Sequence, residues 1–194
     1  MTAAPPAAPP ARRRLTLDEY LALPEDEAVE RMLLRGELWE YPVPESNRHH
    51  AQAVARVSRF LDVWRDTLPV PRGAVVAGDA GIILDDEDSF GVDVAYVSAE
   101  VMARQSDDAS TRIVGVPVVA VEISSPGEVK KRRDAKLAAY RRAGVRLVWL
   151  LDPTLKTVTL IRPDGTTATF DGRQEVTADD VLPGFRVPAA DLFG

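Results

Sequence analysis

The chain contains no cysteine and only two histidines among its 194 residues. Without thiols, disulfide bonds, thiolate metal sites and cysteine nucleophiles are excluded. The two histidines, His49 and His50, are adjacent, and consecutive side chains point in different directions, so they form a poor pair of metal ligands. A cysteine-free composition fits the reducing cytoplasm, which is the location we expect.

The sequence also lacks any apolar run long enough to cross a bilayer, so we expect no membrane segment. The basic residues 12–14 are followed by an acidic amphipathic stretch rather than by the apolar region of an export signal. A glycine-rich phosphate loop, a G-x-S-x-G turn and a dinucleotide fingerprint are all missing. No motif therefore indicates a nucleotide-binding enzyme or a serine hydrolase.

Basic residues are fewer than acidic ones, so the formal net charge is −6. Proteins that hold nucleic acid by bulk electrostatics are usually basic. A nucleic-acid role would therefore need a local basic patch, for which residues 130–133 and 141–142 are candidates. A run of charge is more commonly a solvated helix face, so both interpretations remain open.

Composition divides the chain into a tail and one domain. Residues 1–14 begin with an almost pure Ala and Pro segment that offers no core face, and we predict a disordered tail there. Residues 15–194 are too few for two full domains and predict a single one. A capping box formed by Thr16 and Glu19 indicates where the first helix begins.

Apolar periodicity predicts an α/β fold with a mixed twisted sheet and helices on both faces. Two almost wholly apolar segments, residues 118–123 and 145–151, are typical of central strands, and the helix expected between them makes the pair parallel. The other expected elements are a hairpin around Gly36, a long helix at 47–68, strands at 74–77, 81–84 and 92–97, and a final hairpin at 157–170.

Two carboxylates interrupt these apolar strands, Glu122 in the first central strand and Asp93 in the strand at 92–97. A buried charge needs a cation, a metal or a proton. Two carboxylates on adjacent strands can bind one hard divalent cation, Mg²⁺ or Mn²⁺, with phosphate oxygens and water completing the coordination. The alternatives are a solvated or salt-bridged strand end for Glu122 and a turn-capping role for Asp93.

These carboxylates lie within a larger set of motifs that resembles the Uma-type family of restriction endonucleases, a branch of the PD-(D/E)XK nuclease superfamily. The match runs from residue 15 to residue 193 and consists of LDEYL at 17–21, RGE at 35–37, GVDVA at 91–95, VEISSP at 121–126, KLAAY at 136–140, GV at 144–145, WLLDP at 149–153 and LPG at 182–184. The resemblance implies a restriction-endonuclease-like core and a Mg²⁺-dependent endonuclease that hydrolyses DNA. It implies that Asp93 and Glu122 are catalytic metal ligands and that Lys136 is catalytic.

The sequence departs from the superfamily motif in two places. Val92 stands where the motif has proline, and Ser124 stands where E-x-K has its lysine. The resemblance implies that the lysine has moved to the following helix, with Lys136 as the first candidate and Lys131 as the second. A helix that runs back along the sheet at about 1.5 Å per residue returns Lys136 to the level of Glu122.

A third acidic ligand is not evident, since the position at which the family often has glutamate holds Met32. Asp79 is a weak substitute. His50 begins the apolar stripe of the long helix, and a local packing role is as well supported as a role near the site.

Two further functions stay open: a non-catalytic nucleic-acid-binding or regulatory module that keeps the fold, which the missing E-x-K lysine favours, and a metal hydrolase of a small phosphorylated substrate, which the acidic charge favours. We also expect a homodimer, because nucleases that cut both strands commonly pair two sites by symmetry. Residues 38–41, with their Trp and Leu content, offer a candidate surface for it.

Overall fold

The fold is built on a mixed sheet of nine strands in the part of the chain that the structure, a computed structural model, describes: residues 13–43, 47–105, 111–125 and 129–193. The strands of this sheet are β1 (Val29–Leu34), β2 (Glu37–Pro42), β3 (Ala74–Ile83), β4 (Ser89–Val97), β5 (Ile113–Val114), β6 (Val119–Ile123), β7 (Leu147–Asp152), β8 (Thr157–Ile161) and β9 (Thr167–Asp171). Their spatial order is β2-β1-β4-β6-β7-β8-β9, with β3 pairing β4 and β5.

Within the described ranges, four α-helices accompany the sheet: α1 (Leu17–Leu21), α2 (Arg48–Asp66), α3 (Ala99–Met102) and α4 (Lys130–Ala143). The two long ones cover opposite faces. One apolar cluster contains Ala53, Val57 and Leu61 of α2, and a separate one contains Ala139 and Tyr140 of α4. The predicted α/β class, with helices on both faces of a mixed sheet, is confirmed.

The strand-helix-strand unit at the centre is also confirmed. Strands β6 and β7 pair in parallel from Val119 and Leu147 onward, and every residue of β6 is buried. Helix α4 ends at Gly144, whose φ of 79° is the left-handed conformation that lets the chain reverse into β7. The segment at 126–128, which includes the predicted helix start at Glu128, lies outside the described residues.

The far end of α4 is fixed by an ion pair between the buried Asp88 and the exposed Arg142. Asp88, in the turn between β3 and β4, is 1% exposed and accepts two hydrogen bonds from Nη2 of Arg142, at 2.9 and 2.7 Å. The backbone N–H of Arg35 donates to the same carboxylate at 2.8 Å. This pair holds α4 in register over the sheet and thereby sets the position of the side chains further up the helix.

The region that was expected to hold two strands, 74–77 and 81–84, forms one strand instead. β3 pairs with β4 along its whole length, and the register shifts by one residue between Ala77 and Ala80. Gly78 and Asp79 take positive φ values of 82° and 56° there. The extra residue is accommodated as a β-bulge rather than by a break in the strand, because β4 opposite is continuous.

A small second sheet was not anticipated from the sequence. It consists of β10 (Glu175–Thr177) and β11 (Arg186–Pro188), and a 3₁₀ helix (Ala189–Leu192) follows it. These elements are too short to show a clear period. No helix in the described part of the chain has both the length and the apolarity to span a bilayer.

Backbone pairing begins earlier than the predicted domain start at residue 15. The N–H of Leu38 donates to the carbonyl of Arg13 at 2.8 Å, and the N–H of Leu15 donates to the carbonyl of Gly36 at 2.8 Å. Arg13 and Arg14 therefore add to the edge of β2. The rest of the predicted tail, residues 1–12, lies outside the described residues.

We expect deletion of residues 1–12 to leave the thermal midpoint nearly unchanged, because Ala and Pro there offer no core face. Deletion of residues 1–14 removes the Arg13 pairing as well, a loss of about 1 kcal/mol. The midpoint should then fall by about 2–4 °C. Differential scanning calorimetry of the two truncations measures this difference, and a drop of several degrees for the shorter deletion would show that the tail packs.

Candidate active site

Glu122 is a buried carboxylate that two side chains of α4 hold in place. It is 5% exposed, which excludes a solvated strand end, whereas the salt bridge of the same alternative is present, to Lys136. Its Oε2 accepts a hydrogen bond from Nζ of Lys136 at 2.5 Å, and its Oε1 accepts one from the hydroxyl of Tyr140 at 2.5 Å. Lys136 and Tyr140 lie four residues apart and therefore share one face of the helix.

Lys136 is part of this cluster and not a surface lysine, since it is only 3% exposed. Burial alone would lower the pKa of Lys136, but the charges of Glu122 and Asp93 and the hydrogen bond to Glu122 outweigh it, so the pKa is raised. The lysine is therefore a protonated ammonium at neutral pH. Lys131, the second candidate, is exposed and lies outside the cluster.

Asp93 reaches the same place from β4. Its Oδ2 accepts the backbone N–H of Ile123 at 2.6 Å, just beyond the last paired residues of the two strands, Val94 and Val121. Continuing that antiparallel register sets Asp93 opposite Glu122. Asp93 is 7% exposed and bonds to the neighbouring strand, so it is not a turn cap.

The two carboxylates are electrostatically coupled. Burial and then the charge of Glu122 raise the pKa of Asp93 to about 8, although the Lys136 ammonium and the Ile123 N–H oppose the shift. In the metal-free protein at neutral pH, Asp93 is therefore largely protonated. Two carboxylates repel each other in a buried site, and a divalent cation bound to both relieves that repulsion.

His50 approaches the site from the opposite face of the sheet. Asn47 caps α2 by accepting the N–H of His49 and of His50, each at 3.0 Å. The Nε2 atom of His50 lies 3.6 Å from Oδ1 of Asp93, and its Nδ1 lies 3.2 Å from both the Ile123 carbonyl and the Ser125 hydroxyl. Of the two interpretations left open for His50, the structure favours a role near the site, whereas His49 is exposed.

Two charged residues that the sequence did not single out for the site border the cluster. Glu30 on β1 accepts a hydrogen bond from Nη2 of Arg132 at 2.6 Å. The pKa of Glu30 is raised, mainly by burial. The positive charges of Arg132 and Lys136 oppose this shift, and the negative charges of Asp79 and Glu122 add to it. Strand alternation could have pointed to Glu30 from the sequence, because Glu30 lies two residues from Met32 and therefore shares its face of β1.

Neither position considered for a third acid fits that role directly. Met32 is fully buried in the apolar core. Asp79 lies at the β-bulge and is exposed, but its charge contributes to the raised pKa of Asp93, so the two are close.

A model of the Uma2 family, described as "Putative restriction endonuclease", matches residues 17–190. This chain belongs to the Uma2 family.

A solved structure supports the fold of this Uma2 protein. It comes from Anabaena variabilis and is described as "a putative nuclease belonging to DUF820"; the TM-score is 0.75 at 20% identity, over 92% of this chain and 97% of that one. At this identity the likeness shows the fold alone. No curated protein matches the chain.

The Uma2 site fits a hard divalent cation. In the described ranges, no group of three or more His, Asp or Glu side chains could hold a metal unaided. Asp93 and Glu122 supply two carboxylates, and each oxygen keeps a lone pair beyond the hydrogen bond it accepts. Mg²⁺ is usually bound by one or two carboxylates together with water and substrate phosphate, so this donor set suffices when substrate completes it.

Proposed function

We propose that this Uma2 protein is a divalent-metal-dependent endonuclease that hydrolyses DNA phosphodiester bonds. The observation that supports it most strongly is the buried cluster of Asp93, Glu122 and Lys136, contributed by two adjacent strands and the helix that follows. A buried ammonium paired with Glu122, near an Asp93 that is largely protonated at neutral pH, is a costly arrangement that a nuclease site would use.

Asp93 and Glu122 would hold Mg²⁺ or Mn²⁺ through their carboxylate oxygens. When bound there, the metal polarises the phosphodiester and lowers the pKa of its bound water. Tyr140 keeps the Glu122 carboxylate oriented, because burial and the neighbouring acids raise the pKa of its hydroxyl well above the usual value and keep it a donor. The backbone N–H of Ile123 does the same for Asp93.

Lys136 would supply the positive charge that the E-x-K lysine supplies elsewhere. Its ammonium has three N–H donors, and Glu122 uses one. A second can orient the attacking water or face the charge that develops on the phosphate oxygens. Ser124 therefore does not remove the cation from the site, because the helix returns it from a different point in the sequence.

A non-catalytic nucleic-acid-binding module is the second candidate, and one observation favours it. Both Glu122 oxygens are satisfied by Lys136 and Tyr140, and Asp93 is largely protonated at neutral pH, so the cluster is stable without metal. A metal hydrolase of small phosphorylated substrates, in keeping with the net charge of −6, is the third.

Cleavage assays separate these functions. We expect the purified protein to nick or linearise supercoiled DNA with Mg²⁺ or Mn²⁺, to be inactive in EDTA, and to lose activity in the Asp93→Asn variant. Linear and single-stranded DNA in the same assay define strand preference. Retention of DNA without cleavage would favour the binding module. Hydrolysis of bis(p-nitrophenyl) phosphate without DNA cleavage would favour the small-substrate hydrolase.

Assembly and location follow from the proposed substrate. A homodimer would pair two sites for the two DNA strands, and a DNA substrate fits the cytoplasmic location expected from the sequence. Trp39 is 7% exposed and packs near the Tyr41 ring, at 6.3 Å between centroids, so the expected exposed Trp of the surface at residues 38–41 is wrong. Sedimentation that shows only monomer at high concentration would remove the dimer, and cell fractionation tests the location.

A further inference from the structure

Arg132 lies one helical turn before Lys136, on the same face of α4. Its side chain is 19% exposed, and its Nη2 donates to Glu30 at 2.6 Å. Its guanidinium carbon lies 5.7 Å from the centroid of the Tyr41 ring, within the range of a cation–π contact. Two neighbours, one on β1 and one on β2, therefore fix the guanidinium.

The guanidinium is only partly satisfied. Its Nε is buried and has no hydrogen-bond partner among the described residues. Glu30 takes a single N–H of the five that an arginine carries. An ion pair that served stability alone would favour two-pronged contact with the carboxylate, which this pair does not make. The buried Nε is closed to an incoming anion, so a docking anion would use the remaining N–H groups at the Nη end of this fixed cation.

The position of Arg132 relative to the candidate site indicates which anion it would bind. Arg132, Lys136 and Tyr140 form a row at intervals of one helical turn, roughly 5–6 Å each. The charge of Arg132 acts on Lys136 in this arrangement. A polyanion whose scissile phosphate lies at Lys136 would bring a neighbouring phosphate of the same strand to Arg132.

We propose that Arg132 is the phosphate-docking residue of this site: oriented by Glu30, its guanidinium binds a non-bridging oxygen of the DNA backbone next to the scissile phosphate. This inference rests on the proposed nuclease function. Guanidinium is the preferred partner for phosphate because it is always charged and presents its donors in a planar fork. Glu30 is a positioning residue that holds the plane of that fork.

The test is the salt dependence of DNA binding by Arg132→Gln. Binding of a fluorescein-labelled duplex is measured by anisotropy in Ca²⁺, between about 50 and 200 mM salt. Loss of one phosphate contact should reduce the slope of log affinity against log salt by about 0.9. In Mg²⁺ cleavage assays, KM should rise about 10- to 100-fold while kcat changes much less.

Arg141→Gln is the matched control. Arg141 is exposed and lies roughly two and a half turns further along α4, on the opposite side of the helix from Arg132. Residues 141–142 were candidates for the basic patch in the sequence, but Arg141 faces away from the side of α4 that carries Arg132, so it is not expected to meet the DNA that docks there. This variant therefore removes the same charge from the same helix and should leave the slope and KM unchanged. An equal loss of slope in both variants would overturn the proposal, because binding would then depend on the general charge of the helix.

Two more variants distinguish loss of phosphate binding from misfolding and from a purely structural role of Arg132. The double variant Glu30→Gln/Arg132→Gln leaves no half-buried carboxylate without its partner and should fold and show the same reduced slope. Arg132→Lys keeps the charge but not the fork, so it should restore the slope while KM stays raised.

The outcomes separate the two claims. If the wild type cleaves DNA and Arg132→Gln keeps its slope and KM, the inference on Arg132 fails alone. If the wild type neither binds nor cleaves DNA, the proposed function itself fails.

Discussion

Replacing Lys136 with methionine is expected to lower the stability of the protein by about 3–5 kcal/mol and to reduce DNA cleavage by about 10²–10³-fold. The stability loss follows because Glu122, 5% exposed, would keep only the Tyr140 hydroxyl as a donor. The loss of turnover follows because the ammonium would be missing where charge develops. Urea denaturation and single-turnover cleavage measure the two effects.

Two variants separate stability from catalysis in this experiment. Lys131→Met removes the same charge from an exposed position of α4 and should change stability by no more than about 0.5 kcal/mol. The double variant Glu122→Gln/Lys136→Met removes both members of the buried pair, so it should recover much of the stability but none of the activity. If Lys136→Met were as stable and active as Lys131→Met, Lys136 would have no role in the site.

Replacing Asp93 with asparagine is expected to abolish divalent-ion binding and cleavage without destabilising the metal-free protein. The affinity for Mn²⁺ should fall by more than about 100-fold, since even the loss of a residue that only supports a ligand costs about 10–100-fold. Stability in EDTA should be kept or raised, because the pKa of Asp93 is about 8 and its neutral form already predominates. Calorimetric titration with Mn²⁺ and thermal melts in EDTA check both parts.

The same substitution predicts a change in pH dependence. The folded-state pKa of Asp93 is raised from an ordinary 3.8 to about 8, so the folded protein binds a proton that the unfolded chain releases. This contribution to stability is full below about pH 4 and is lost as the pH rises through about 8. In EDTA, the wild type should lose stability over this window relative to Asp93→Asn. Parallel stability curves for the two proteins would show that Asp93 is ionised in the folded state.

Glu122 behaves differently from Asp93 despite the symmetry of the two acids in the sequence. Mutual repulsion alone would suggest that neutralising either one stabilises the metal-free protein. The buried Lys136 reverses that expectation for Glu122, because Glu122→Gln would leave an ammonium of 3% exposure without its partner. Asp93→Asn is therefore the cleaner test of metal binding.

The site residues were predictable where a charge interrupts an apolar run. Asp93 and Glu122 stood out for that reason. Lys136 came from the resemblance to the Uma-type family, and the rise of a helix that runs back over the sheet only permitted it. The class of fold followed from the two apolar segments that became β6 and β7 and from the helix between them. In each case the signal was local and the period was clear.

The residues that were missed depend on pairing between distant parts of the chain. Glu30 lies in the half-buried first half of β1, whose neighbours across the sheet cannot be read from local pattern. Arg132 looked like one of four consecutive cations. The bulge at Gly78 and Asp79 is set by the register with β4. Such features are decided by tertiary contacts, not by propensity.

The central claim is that Asp93 and Glu122 share one divalent cation beside Lys136. It is tested most directly by a crystal structure of the protein with Mn²⁺, recorded at a wavelength where manganese scatters anomalously. We predict one anomalous peak at coordination distance, roughly 2–2.5 Å, from a carboxylate oxygen of each acid. The Asp93→Asn variant, treated in the same way, should lack this peak. Absence of a peak between the two carboxylates in the wild type, or a peak bound only by other residues, would contradict the claim.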